Sequence, residues 1–145
     1  IYQTFYCNQE YRRIRHNVSA CLKQHLPQSY ALVEVALNEA VNNASKHSIK
    51  EGKPQAVTLA IRLLRDSVLS IRVKDGGAGF CMHDHPSQMA VSLERMFECK
   101  ALEESGRGIL IMKATTDAMR YNRQGNEVLL VKKVRDPILR GRDCI

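Results

Sequence analysis

Residues 56–64 (AVTLAIRLL) and 67–75 (SVLSIRVKD) alternate in polarity, are rich in β-branched side chains, and have only Arg65 and Asp66 between them. Such runs suit the half-buried surface of a pleated sheet, and a two-residue connection is the length of a tight hairpin turn. The centre of the chain therefore reads as two adjacent antiparallel strands, and the rest of the fold has to be built around them.

The flanking segments have a different period. Apolar residues at Tyr11, Ile14, Val18, Cys21, Leu22 and Leu26 recur at helical spacing over 10–26, and Pro27 ends that helix. A second helix spans 29–47, with an apolar stripe through Val33, Leu37, Ala40, Val41 and Ala44. Residues 2–7 are aromatic and β-prone and open the chain as a strand, and a polar turn at 51–54 leads into the central hairpin. The long stretch 76–106, carrying Gly, Pro and His and a short helix over 92–100, has the length of a lid or binding loop. A helix over 107–117 and strands over 118–122 and 127–134, around a turn at 123–126, complete the pattern. Strand, two helices, hairpin, lid, helix and hairpin make an α/β sandwich: a mostly antiparallel mixed sheet with helices on one face.

The 145 residues suit one domain over 1–145, able to bury a core without disulfides or a structural metal. Because it begins at Ile1 and not Met, that domain is expected to be a piece of a longer multidomain protein. The five cysteines show no C-x-x-C spacing and fit reduced thiols in a cytoplasmic protein. No apolar run approaches the roughly 20 residues of a membrane span, so no membrane partner is expected. The net charge of +7 raises the question of nucleic acid. Its basic residues are scattered, however, and no recognition motif or set of stacking aromatics accompanies them, so no direct nucleic-acid binding is expected.

Three segments carry residues that packing alone does not require. On the second helix, EAVNNASKH (39–47) places Glu39, Asn43 and His47 at i, i+4 and i+8, along one flank of the apolar stripe. An Asn amide oxygen is a hard ligand suited to Mg²⁺, and a Glu one turn earlier can accept a proton. Glu34 and Asn38 repeat the spacing on the other flank, and spacing alone does not choose between the pairs. The second segment, DGGAGF (75–80), follows a strand; its glycines allow close approach to a flat ligand, and Asp75 can accept a hydrogen bond from an exocyclic amine. An ordinary glycine-rich turn reads equally well there. In the third, SGRGILIM (105–112), glycines meet a helix start, where free N–H groups and the helix dipole seat a phosphate. Arg107 either adds charge to that seat or points to solvent.

An E-x-x-x-N helix, D-x-G-x-G after a strand and G-x-G opening a helix, in this order, resemble the three ATP-site motifs of the GHKL (Bergerat-fold) ATPases. The resemblance covers about residues 10–134. Within that superfamily, ALNEAVNNASKH and ESGRGILIMKATTD look most like the anti-sigma-factor serine/threonine kinases. The resemblance implies ATP and Mg²⁺ as cofactors, with Glu39 as general base and Asn43 as metal ligand. It implies Asp75 as the adenine-reading carboxylate, Gly77 and Gly79 as pocket-shaping residues, and Gly106 and Gly108 as phosphate-facing lid glycines. Lys46 and His47 fall where relatives place phosphate or pocket contacts, while 81–104 matches no lid pattern. The implied activity is phosphorylation of a serine on a STAS-domain anti-anti-sigma protein, with exchange onto a sigma factor and a homodimeric state. Two other readings stand beside it: a non-catalytic ATP- or sigma-factor-binding GHKL module, and a histidine kinase catalytic fragment.

Overall fold

The computed structural model describes residues 1–65, 67–79 and 106–134. In chain order these form β1 (Tyr2–Phe5), α1 (Asn8–His25), α2 (Tyr30–His47), β2 (Ile49–Lys50), β3 (Lys53–Pro54), β4 (Val57–Leu64), β5 (Val68–Asp75), α3 (Gly106–Thr115), β6 (Ala118–Tyr121) and β7 (Glu127–Lys133). The sheet has five strands in the order β1-β4-β5-β7-β6. Every pairing among them is antiparallel.

The central hairpin pairs over its full length, from Val57 opposite Asp75 to Leu64 opposite Val68. Period-two alternation then separates the two faces of the sheet. Val57, Leu59 and Ile61 of β4, Leu69, Ile71 and Val73 of β5, and Val128 and Leu130 of β7 are all buried. They pack in one core with Val18 and Leu22 of α1, Val33, Leu37 and Val41 of α2, and Ile109 and Met112 of α3. The other face carries exposed Arg62, Arg72 and Lys74, with Arg72 3.3 Å from Glu127 across the β5–β7 pair. Helices on one face of an antiparallel sheet is the layer arrangement expected from the order of elements.

Several boundaries shift for local reasons. The first helix starts at Asn8, two residues earlier than its apolar period suggests, because Glu10 reaches back to accept the Tyr6 N–H at 2.8 Å. The segment read as one polar turn is a small hairpin, β2 with β3, whose tip holds Glu51 and Gly52 at φ 52° and 73°. The last helix is shorter than its apolar run and stops at Thr115. There Thr115 and Thr116 turn their hydroxyls back onto the carbonyls of Ile111 and Met112, and β6 begins. Asp66, the expected lid at 81–104 and its short helix at 92–100 lie outside the described residues. No described helix is long and apolar enough to cross a membrane.

The topology gathers several chain segments at one end of the sheet. In the β5–β7 register Lys74 lies opposite Glu127, so the C-terminal end of β5 meets the β6–β7 turn. The C-terminal end of α2 arrives beside the residues that follow β5.

Candidate functional site

The two Glu/Asn pairs on α2 go to different neighbours. Glu34 faces α1, where Arg15 Nε lies 3.2 Å from one carboxylate oxygen and the Ser19 hydroxyl donates to the other at 3.2 Å. Asn38 also faces α1 and accepts the Tyr11 hydroxyl at 3.2 Å. That pair ties helix to helix. Glu39 and Asn43 turn instead toward α3, and the contact is at Gly108. A Cβ built there would stand 2.7 Å from Glu39 Oε2 and 3.5 Å from Asn43 Nδ2. The absence of a side chain at 108 is what lets the two helices close with a carboxylate and an amide between them.

Gly108 is the third described residue of α3. A proton acceptor and an amide thus converge on the α3 backbone at Gly108. Gly106 is the first residue of the helix, and the Arg107 side chain is exposed. Ser105, before it, lies outside the described residues.

The second half of the site forms around Asp75, the last residue of β5. It is 5% exposed. Its backbone is fixed on both sides by Asn126, whose carbonyl accepts the Asp75 N–H at 2.9 Å and whose side-chain amide donates to the Asp75 carbonyl at 3.3 Å. The Asp75 carboxylate accepts the Gly77 N–H at 2.9 Å. Burial pushes the Asp75 carboxyl above the ordinary carboxylate range, opposed by the Gly77 hydrogen bond and the charge of nearby His47. A buried carboxylate with one strong backbone partner retains capacity for a further donor.

The glycines after Asp75 have a structural cause of their own. A side chain at Gly77 would run into the carbonyl oxygen of His47, the last residue of α2. A side chain at Gly79, which holds φ 77°, would run into the carbonyl of Gln124 in the β6–β7 turn. The loop is therefore wedged between a helix end and a turn, and its glycines permit backbone-to-backbone packing whatever they do for a ligand. His47, at the same junction, is half-buried, whereas the Lys46 side chain is exposed.

Of the sequence candidates, Glu39, Asn43 and Gly108 come together at the start of α3, and His47, Asp75, Gly77 and Gly79 come together at the end of β5. Lys46 and Arg107 present exposed side chains. The sequence reading missed Tyr121, Asn122 and Asn126. Tyr121, the last residue of β6, hydrogen-bonds the Asn43 side chain and lies close enough to Asp75 to sense its charge. Asn122 and Asn126 close the β6–β7 turn: Asn122 Nδ2 donates to Asn126 Oδ1 at 2.7 Å, and Asn122 Oδ1 accepts the Asn126 N–H at 3.1 Å. The strand alternation offered one usable signal, since Met119 and Tyr121 fall on the same side of β6 and both pack against the core. Tyr121 links the two halves of the site.

Among the described residues no three His, Cys, Asp or Glu side chains cluster as a metal centre. The Asn43 side chain carries an amide oxygen, a donor type that suits a hard cation. The family model for the histidine kinase-like ATPase domain matches residues 8–132, nearly the whole described fold. No match is found among curated proteins.

Proposed function

The chain belongs to the histidine kinase-like ATPase domain family, and from that premise we propose that it is an ATP-dependent protein kinase. Membership makes it an ATP-binding module of the GHKL type; the proposal concerns what it does with the nucleotide. The observation that carries it is the convergence of Glu39 and Asn43 on Gly108 at the start of α3. Binding a nucleotide alone needs donors and a shaped pocket, whereas a carboxylate held against a phosphate seat suits a group that must take a proton.

In this reading Asp75 takes the exocyclic amine of adenine, and the loop through Gly77 and Gly79 lets the base lie close to the backbone. Free N–H groups at the start of α3 hold the phosphates. When bound, Mg²⁺ supplies charge neutralisation as the phosphoryl group moves; Asn43 is the residue that would hold it. Glu39 accepts the proton of an attacking serine hydroxyl, the serine oxygen bonds to the γ-phosphorus, and ADP leaves. The resemblance of 36–47 and 104–117 to anti-sigma-factor kinases supports a serine on a STAS-domain anti-anti-sigma protein as acceptor. The same resemblance supports a sigma factor as second partner and a homodimer acting in the cytoplasm.

The test is label transfer from ATP to a STAS-domain acceptor by the wild type, Glu39→Ala and Glu34→Ala. Removing a positioned base costs roughly 10²–10⁴ in rate, so Glu39→Ala should bind ATP but transfer slowly. Glu34→Ala, which loses only a contact to α1, should transfer at the wild-type rate. Acid-stable label identifies phosphoserine. Acid-labile label would move the assignment to a histidine kinase, and a wild-type rate in Glu39→Ala would remove Glu39 from the chemistry.

A further inference from the structure

Basic residues that lie scattered along the chain are gathered on the outer face of the sheet. Directly opposed residues of antiparallel strands share a face, so the register lays that face out row by row. Lys74 of β5 stands opposite Glu127 of β7. In the next row Arg72 stands opposite Leu129, and Leu129 opposite Arg120 of β6. Then Arg62 of β4 stands opposite Ser70, and Ser70 opposite Val131. Lys133 ends β7, opposite Val68. Arg62, Arg72, Lys74, Arg120 and Lys133 are all exposed. Among the described residues of these strands Glu127 is the one acid on this face, and Arg72 holds it at 3.3 Å. Leu129 and Val131, both half-buried, form an apolar strip along β7. Arg72 and Lys74, with Arg62 diagonal to Arg72, border the strip on the β5 side. Arg120 borders it on the β6 side, and Lys133 closes its end.

We propose that the outer face of the sheet, along β7, is a docking surface for a protein partner that presents an amphipathic helix with an apolar stripe and carboxylates on both flanks. An apolar strip with cations on either side is complementary to such a helix in both shape and charge. Nucleic acid fits less well. Stacked bases need aromatic platforms, and Tyr2 at the β1 edge is the lone aromatic of this face among the described residues; the apolar strip offers nothing to phosphates. A second copy of the chain fits least, because face-to-face packing would set cations against cations. The surface lies on the side of the sheet away from α2 and α3, so it is separate from the nucleotide site and does not depend on that reading.

The probe is a labelled synthetic helix with leucines along one stripe and glutamates on both flanks, followed by fluorescence anisotropy. At about 16 residues it matches the roughly 24 Å that the seven residues of β7 span. A control peptide carries glutamine for every glutamate. One protein variant combines Arg62→Glu with Arg120→Glu, reversing a charge on each side of the strip. A second combines Arg12→Glu with Arg13→Glu, reversing two exposed charges on α1, so both variants have the same net charge. A milder pair, Arg62→Gln with Arg120→Gln, serves if a thermal melt shows the reversal to be unfolded. The acidic peptide should bind the wild type about tenfold or more tightly than the control. The sheet reversal should weaken it about tenfold, the neutral pair about threefold, and the α1 reversal no more than about twofold. No preference for the acidic peptide, or equal losses in the two reversals, would reduce the attraction to the net charge of +7 and overturn the proposal. Tighter binding of an RNA oligonucleotide or of phosphatidylserine vesicles, lost in the sheet reversal, would overturn it in favour of that ligand. A dimer in sedimentation that the sheet reversal dissociates would overturn it in favour of a second copy.

Discussion

Substituting Gly108 by alanine should damage function while leaving the fold almost untouched. The added methyl would stand 2.7 Å from Glu39 Oε2, closer than real Cβ atoms approach such neighbours. The other nearby atoms, Asn43 Nδ2 and Glu39 Cβ at 3.5 Å, are at ordinary contact and need not move. The atom that has to yield is the far end of a flexible side chain, so the strain is relieved by turning Glu39 away. Forcing a side chain about 30° off its rotamer costs about 0.5–1.5 kcal/mol. Replacing glycine by alanine inside a helix returns up to about 1 kcal/mol, and less so near the start. The two effects nearly cancel, so stability should change by less than about 1 kcal/mol and the melting temperature by no more than about 4 °C. A displaced base is a different matter, since a shift of about 1 Å in a reacting group can cost on the order of 10² in rate. Thermal unfolding by circular dichroism and single-turnover phosphoryl transfer measure the two effects separately. A variant with wild-type transfer would refute the functional seat of Glu39 over Gly108. A loss of more than about 3 kcal/mol would refute the claim that the contact is soft.

Gly77→Ala should show the reverse balance, because its methyl meets the His47 backbone carbonyl, which cannot rotate away. Overpacking against backbone costs about 1–3 kcal/mol or more, to be read as a lower urea midpoint. Asp75→Asn keeps an acceptor for the Gly77 N–H and removes a buried charge. Because burial raises the folded carboxyl above its ordinary 3.8, the folded state binds the proton more tightly than the unfolded chain, and wild-type stability falls as pH rises through that window. The apo variant should therefore be at least as stable as the wild type at pH 7, with its advantage shrinking as pH drops toward 3.8; urea unfolding at both ends of the range checks the sign, and a variant markedly weaker at pH 7 would contradict it.

Much of the fold was readable because its signals are local and periodic. Alternation over 56–64 and 67–75 marked the hairpin, observed as strands 57–64 and 68–75, and the stripe from Val33 to Ala44 marked the buried face of α2. The choice between Glu34/Asn38 and Glu39/Asn43 was not readable from spacing, because both pairs flank the same stripe and only the positions of α1 and α3 separate them. That information lies in long-range packing. The same holds for Gly77 and Gly79, whose need for a bare backbone comes from His47 and Gln124, distant in sequence. Asn126 looked like a turn residue and is one, yet its two hydrogen bonds to the Asp75 backbone arise only from the β5–β7 pairing. Tyr121 carried an alternation signal that placed it on the inner face, but its partner Asn43 is on another layer.

The central claim is that Asp75 and the α2–α3 contact form one nucleotide site. Calorimetric titration of the protein with ATP, with and without Mg²⁺, beside Asp75→Asn tests it most directly. Binding that strengthens with magnesium in the wild type and disappears in a folded Asp75→Asn is the predicted result. Equal binding by both proteins, or none by either, would contradict it.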